Sequence, residues 1–214
     1  VFAVSGTTDL GANVTTTGTQ TYSSAVTLSA DITLTSSDDN FTFSSTVDSA
    51  DSTARDLTLS AGSGTIAVSN AIGGIQELDV ITITQSGGVT FSGAINADTV
   101  TLTDTTGSVT FAGSTVLETL NTADQDYNVI FNGSTNTFAD AVTFSNTGYI
   151  TFGNASDDSS TFDNGLTTAA PSEIRLAGTL QTSNDAMTVG TAVVLYANSI
   201  LNTGSAALTV GSTV

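Results

Sequence analysis

The chain has 214 residues, of which 39% are hydrophobic and only 10% charged, where a typical globular domain carries about a quarter charged residues. Twenty Asp and Glu face two cations, Arg55 and Arg175, with no Lys and no His, for a net charge of −18. Such a chain cannot neutralise phosphates, which excludes nucleic acid as a partner, and with no run of about 18 apolar residues it is not expected to insert in a membrane.

In chain order, residues 1–24 form a less regular N-terminal portion. Val1-Phe2-Ala3-Val4 lacks a basic region and a long apolar core, so no signal peptide is visible in this chain. From residue 32 a two-part phrase recurs. Its first part is Ile32-Thr33-Leu34, Leu57-Thr58-Leu59, Ile81-Thr82-Ile83, Val100-Thr101-Leu102 and Val142-Thr143-Phe144, with Glu118-Thr119-Leu120 a degraded copy. Its second part is Phe41-Thr42-Phe43, Ile66-Ala67-Val68, Val89-Thr90-Phe91, Val109-Thr110-Phe111, Val129-Ile130-Phe131, Ile150-Thr151-Phe152, Ile174-Arg175-Leu176 and Val193-Val194-Leu195. The third residues of this second part are 25, 23, 20, 20, 21, 24 and 19 positions apart, and the two parts lie 8 or 9 positions apart within a unit. Residues 156–214 repeat the pattern in more degenerate form.

Alternation with period two puts apolar residues on one face and Thr on the other, as in a half-buried strand. Clusters such as Ser36-Ser37-Asp38-Asp39-Asn40, Gly62-Ser63-Gly64 and Ser86-Gly87-Gly88 supply the turns between strands. A propeller blade would need about 40–50 residues and four strands, and a sandwich about 100 residues around one closed core. A unit near twenty residues with short strands predicts an all-β chain, a single right-handed parallel β-helix (β-solenoid) over residues 1–214. Each coil would hold two strands and a variable return. Stacked at ~4.8 Å per coil, nine or so coils would form a rod of roughly 40–50 Å. Phe91, Phe111, Phe131 and Phe152 are expected to stack in one internal ladder.

The stretch Gly18-Thr19-Gln20-Thr21-Tyr22-Ser23-Ser24-Ala25-Val26-Thr27-Leu28-Ser29-Ala30-Asp31-Ile32-Thr33-Leu34-Thr35 resembles the repeat blocks of filamentous-haemagglutinin-like bacterial surface proteins. The later units Gly88-Val89-Thr90-Phe91-Ser92-Gly93-Ala94 and Gly107-Ser108-Val109-Thr110-Phe111-Ala112-Gly113 are similar. The resemblance covers most of residues 18–155. It implies secretion to the cell surface and a role in adhesion or an extracellular fibre, with host or surface glycans as partners.

Catalytic chemistry is not expected. Without His, Cys or Lys the common nucleophile–base pairs cannot form, and zinc loses its main ligands. No cofactor is expected except Ca²⁺, for which the candidate ligands are the turn carboxylates Asp38 with Asp39, Asp48 with Asp51, and Asp157 with Asp158 and Asp163. Asp124-Gln125-Asp126 opens like a calcium loop, but Val129 stands where Gly is required. The alternative for these acids is solvated turns with diffuse counterions. Outward Thr pairs at Thr33/Thr35, Thr82/Thr84 and Thr101/Thr103 raise a second class of function, an ice-binding face. Leu208-Thr209-Val210 still follows the strand pattern, so no capping segment is expected. The ends would then be covered by neighbours, either copies in a head-to-tail homopolymer or adjoining repeats. A carbohydrate- or surface-binding module that does not polymerise is the alternative.

Overall fold

The structure, a computed structural model, describes residues 1–211; the last three residues of the 156–214 portion lie outside them. The described residues contain strands and turns and no helix. All strand pairs are parallel, and each strand pairs with its counterpart about 21 residues away. The chain is a β-solenoid repeat protein.

Three faces, not two, make up each coil. The first face begins with Phe2–Val4, Gln20–Tyr22, Phe41–Phe43 and Thr65–Val68. It continues through Gly88–Phe91, Ser108–Phe111, Asn128–Phe131 and Ile150–Phe152, then 173–176 and 192–195, giving ten rungs. The second begins with Thr8–Leu10, Val26–Leu28 and Val47–Ser49. It passes through the single bridges Val47↔Ile72↔Ile95 and continues through 115–117, Thr135–Phe138, Ser159–Phe162, 179–182 and 199–202. The third runs from Val14–Thr16 through Ile32–Ser36, Leu57–Ser60 and 80–86 to 99–105 and 119–122. It resumes at Val142–Thr143, Leu166–Thr167, Met187–Val189 and Leu208–Val210.

The second face is the strand hidden in the presumed variable return. In the middle coils one of its two inward columns is polar, Thr115, Asn136 and Ser160, beside the apolar column Leu117, Phe138 and Phe162, all buried and in register. Asn136 Nδ2 donates to Ser160 Oγ at 3.2 Å and to the Gly133 carbonyl at 3.1 Å. With one inward position of each strand polar, apolar alternation is broken; the Asn136 amide and the Ser160 hydroxyl offset their burial by pairing, whereas Thr115 Oγ1 and Asn136 Oδ1 have no partner among the described residues.

The core is a set of ladders in which each side chain rests on its equivalent one coil away. Phe91, Phe111, Phe131 and Phe152 form the expected ladder, with ring centroids 5.3, 4.9 and 5.8 Å apart. Tyr22 stacks on Phe43 at 4.9 Å and Phe138 on Phe162 at 4.5 Å. Close coil-to-coil approach at the corner after the first face uses glycine. A Cβ at Gly113 would lie 2.3 Å from the Gly93 backbone, and one at Gly133 2.2 Å from that of Gly113. The first and second faces join through Gly178, whose φ of +79° turns the strand Glu173–Thr182 around the corner.

One irregularity interrupts the stack. Leu120 keeps its register against Val100 despite the degraded phrase, but 119–122 forms no ladder with Val142–Thr143. Side chains bridge the gap instead. The Ser145 N–H donates to Thr122 Oγ1 at 2.8 Å, and Asn146 Nδ2 donates to the Tyr127 carbonyl at 3.0 Å, while the buried Tyr127 hydroxyl accepts from the Ala123 N–H of its own turn at 3.1 Å. Burial pushes the Tyr127 phenol up to about 12.

Candidate functional site

Most of the carboxylates that are candidate calcium ligands accept hydrogen bonds at the turns. Asp38 accepts the Ser63 N–H of the next coil at 2.9 Å. Asp39 lends its backbone carbonyl to the Ser36 hydroxyl. Asp48 is buried and accepts the Ile75 N–H at 2.8 Å. Asp51 lies on the surface, accepts the Thr53 N–H at 2.8 Å and is 3.5 Å from Arg55. The Thr53 N–H first, and then Arg55, hold its carboxyl below the usual range against slight desolvation. Asp158 is buried and accepts the N–H groups of Asn154 and Ala155 at 2.8 and 2.9 Å, while Asp157 is exposed. Asp163 accepts the Ser183 hydroxyl. Among the described residues no three His, Cys, Asp or Glu side chains converge.

The arrangement shows what the turns use their Asp and Asn for. The Oδ1 atom of one coil accepts a backbone N–H of the next: Asn13 from Thr33, Asp31 from Asp56, Asn40 from Thr65, Asp56 from Val80 and Asn128 from Tyr149, at 2.7–3.2 Å. These N–H groups lie at corners where the parallel ladder lapses, and a side-chain oxygen satisfies them. The acids also align along the edge between the second and third faces. Asp79, Asp98 and Glu118 are in register. Asp31 and Asp56 are in register in the two preceding coils. Burial pushes the Asp56 carboxyl up, and the charges of Asp31 and Asp79 add to the rise against the Val80 hydrogen bond.

Gly62-Ser63-Gly64 is a turn leading into the strand Thr65–Val68, which leaves no helix for a nucleotide phosphate. On the third face Thr33, Thr58, Thr82 and Thr101 fall in one outward column, with Thr58 in the coil between the first two Thr pairs. Asn121 continues the column and donates to Thr101 Oγ1 at 3.3 Å.

Two surface features had no clear signal in the sequence. Arg175, outward on the first face, lies 3.5 Å above the Tyr149 ring and 6.0 Å from that of Tyr196. Its Nε donates to Glu173 at 2.6 Å, and that bond raises the guanidinium pKa further. Where the third face is interrupted, an open depression of about 330 Å³ is lined by Asp124, Thr143, Phe144, Ser145, Thr167 and two alanines.

The third feature is the last coil. Leu195, Leu208 and Val210 continue the inward ladders of Leu176, Met187 and Val189. Those three are 0–1% exposed, whereas Leu195, Leu208 and Val210 are 62, 43 and 48% exposed. At the other end Phe2, Val4 and Val14 are only partly buried.

The chain matches no protein-family model, no curated protein and no solved structure.

Proposed function

We propose that the chain is a structural unit of an extracellular surface filament or adhesin of the filamentous-haemagglutinin-like kind, assembling end to end through the open ends of its solenoid. The observation that carries this reading is the exposure of Leu195, Leu208 and Val210 at positions that are sealed one coil below. Fully burying such a side chain contributes about 1.5–3 kcal/mol, so covering these three half-exposed residues would contribute roughly 1 kcal/mol each. Unpaired strand edges add backbone groups that a further coil would satisfy. The rest of the molecule suits a spacer: ten coils make a rod of about 45–50 Å, with aromatic ladders inside and a net charge of −18 outside that keeps rods apart laterally.

Electron microscopy of the native material tests this directly. Rods longer than one chain's length are expected, and compact isolated particles would overturn the reading.

A second reading, a carbohydrate-binding adhesin module, has one observation in its favour. Tyr196 is 60% exposed beside the stacked Arg175, and an aromatic face next to a guanidinium suits a sugar ring with acceptor groups. Glycan-array binding lost in both Arg175→Ala and Tyr196→Ala would support it; binding unchanged in both would remove it.

A further inference from the structure

We propose that the depression on the third face binds a primary alkylammonium group, the chemistry of a lysine side chain or a small free diamine. The site is independent of end-to-end assembly. It lies where 119–122 and Val142–Thr143 form no ladder, and three successive coils build it. Asp124 comes from the first, Thr143, Phe144 and Ser145 from the second, and Thr167 with two alanines from the third. Its volume of about 330 Å³ is at the small end of ligand pockets, which run from roughly 300 to 1,000 Å³, so it suits one short aliphatic chain.

The lapse in the ladder leaves acceptors over. Inward residues of this stretch donate to the following coil, Val142 to the Gly165 carbonyl and Phe144 to the Thr167 carbonyl, both at 3.0 Å. Successive residues of a parallel strand turn to opposite neighbours. Thr143 therefore turns its N–H and carbonyl to the preceding coil, where no ladder strand meets them. One residue past Ser145, Asn146 is fully buried, and its Oδ1 has no partner among the described residues. Asp124 is exposed at the rim and forms no ion pair among the described residues.

Charge selects the ligand class. Neither Arg55 nor Arg175 lines the depression, and the Asp124 carboxylate repels an anion. The net charge of −18 draws cations to the whole surface. Only here does a carboxylate share a depression with three hydroxyls, a free backbone carbonyl and an apolar wall of Phe144 and alanines. An ammonium is a compact point charge with three donors, which fits acceptors spread over three coils. Its methylene stem covers the apolar wall. A divalent metal would need several converging oxygen ligands with more than one carboxylate, and among the described residues no such group of acids converges. The 214 residues hold no Lys, so the ammonium comes from outside them.

Titration of the full chain with Nα-acetyl-lysine N-methylamide, followed by amide NMR signals, tests the site. Saturable shifts at Thr143, Ser145 and Thr167 are expected. Affinity should fall about threefold to fivefold in Asp124→Asn, the range for an exposed ion pair, with circular dichroism showing the variant folded. The norleucine analogue, with the same stem and no charge, should leave these signals in place. Equal shifts with that analogue, or unchanged affinity in Asp124→Asn, would overturn the proposal. Shifts along the acidic edge at Asp31, Asp56 and Asp79 as large as those at Thr143 would also overturn it, in favour of diffuse counterions. Putrescine separates the two sources while keeping the ammonium site. Tighter binding of the lysine probe assigns it to a protein segment, and tighter binding of putrescine assigns it to a free amine.

Discussion

Phe131→Ala is the most informative single perturbation of the stack. Phe131 is fully buried in the seventh coil, stacked on Phe111 at 4.9 Å and on Phe152 at 5.8 Å. It also meets Phe138 edge-on at 5.3 Å and Phe144 at 6.3 Å. Truncating a buried Phe typically costs about 3–5 kcal/mol from lost transfer energy and the residual cavity. Four aromatic neighbours, each contact contributing about 0.5–1.5 kcal/mol beyond area, place this site near the upper end. The loss falls where the third face is already unpaired between 119–122 and Val142–Thr143. In a repeat array, where stability is a sum of units and their interfaces, weakening this junction should uncouple the coils on its two sides. Urea denaturation followed by far-UV circular dichroism should show a loss of about 4–5 kcal/mol or a transition split in two. Phe131→Leu, which keeps most of the volume, should lose about 1–1.5 kcal/mol in a single transition. A Phe131→Ala chain within about 1 kcal/mol of the unsubstituted one would refute the ladder as the source of coupling.

Thr115→Val should stabilise the chain by about 1 kcal/mol in the same assay, because it replaces a buried hydroxyl without a partner by a methyl of similar shape. Gly113→Ala should destabilise by several times the effect of Gly6→Ala: a Cβ meets backbone at 2.3 Å in the first and nothing within 4 Å in the second. Asp158→Ala should cost about 1–3 kcal/mol by freeing two N–H groups, and thermal melts should show Asp158→Asn retaining part of that. The phenols of Tyr22 and Tyr127 are pushed from 10.0 up to about 12 by burial. A raised folded pKa means stability is full below about pH 10 and is lost as pH rises through 12. Absorbance titration near 295 nm should show these two ionising late, together with unfolding. Ionisation of both near pH 10 in folded protein would refute it.

Fold class and repeat length were legible because the repeat is written in apolar residues. Two of the three strands per coil alternate cleanly, as in Ile81-Thr82-Ile83 and Val89-Thr90-Phe91, and their recurrence every 19–25 residues brings equivalent residues into ladders. The second face was not legible: its middle coils turn the polar column Thr115, Asn136 and Ser160 inward, of which Asn136 bonds Ser160, and Ile72 joins its neighbours by one bridge on each side. The turn acids were legible as turn residues only. Their partners, such as Ser63 for Asp38 and Ile75 for Asp48, lie 25 and 27 residues away.

The sequence by itself determined that the chain stacks as a β-solenoid with an acidic exterior, since period-two alternation and a fixed repeat leave apolar faces that only neighbouring coils can bury. Only the tertiary structure decided that each coil has three sides, that the carboxylates brace adjacent coils, and that Arg175 lies on Tyr149. Those outcomes depend on which residues meet one coil apart, and that register arises from packing between coils rather than from any local stretch.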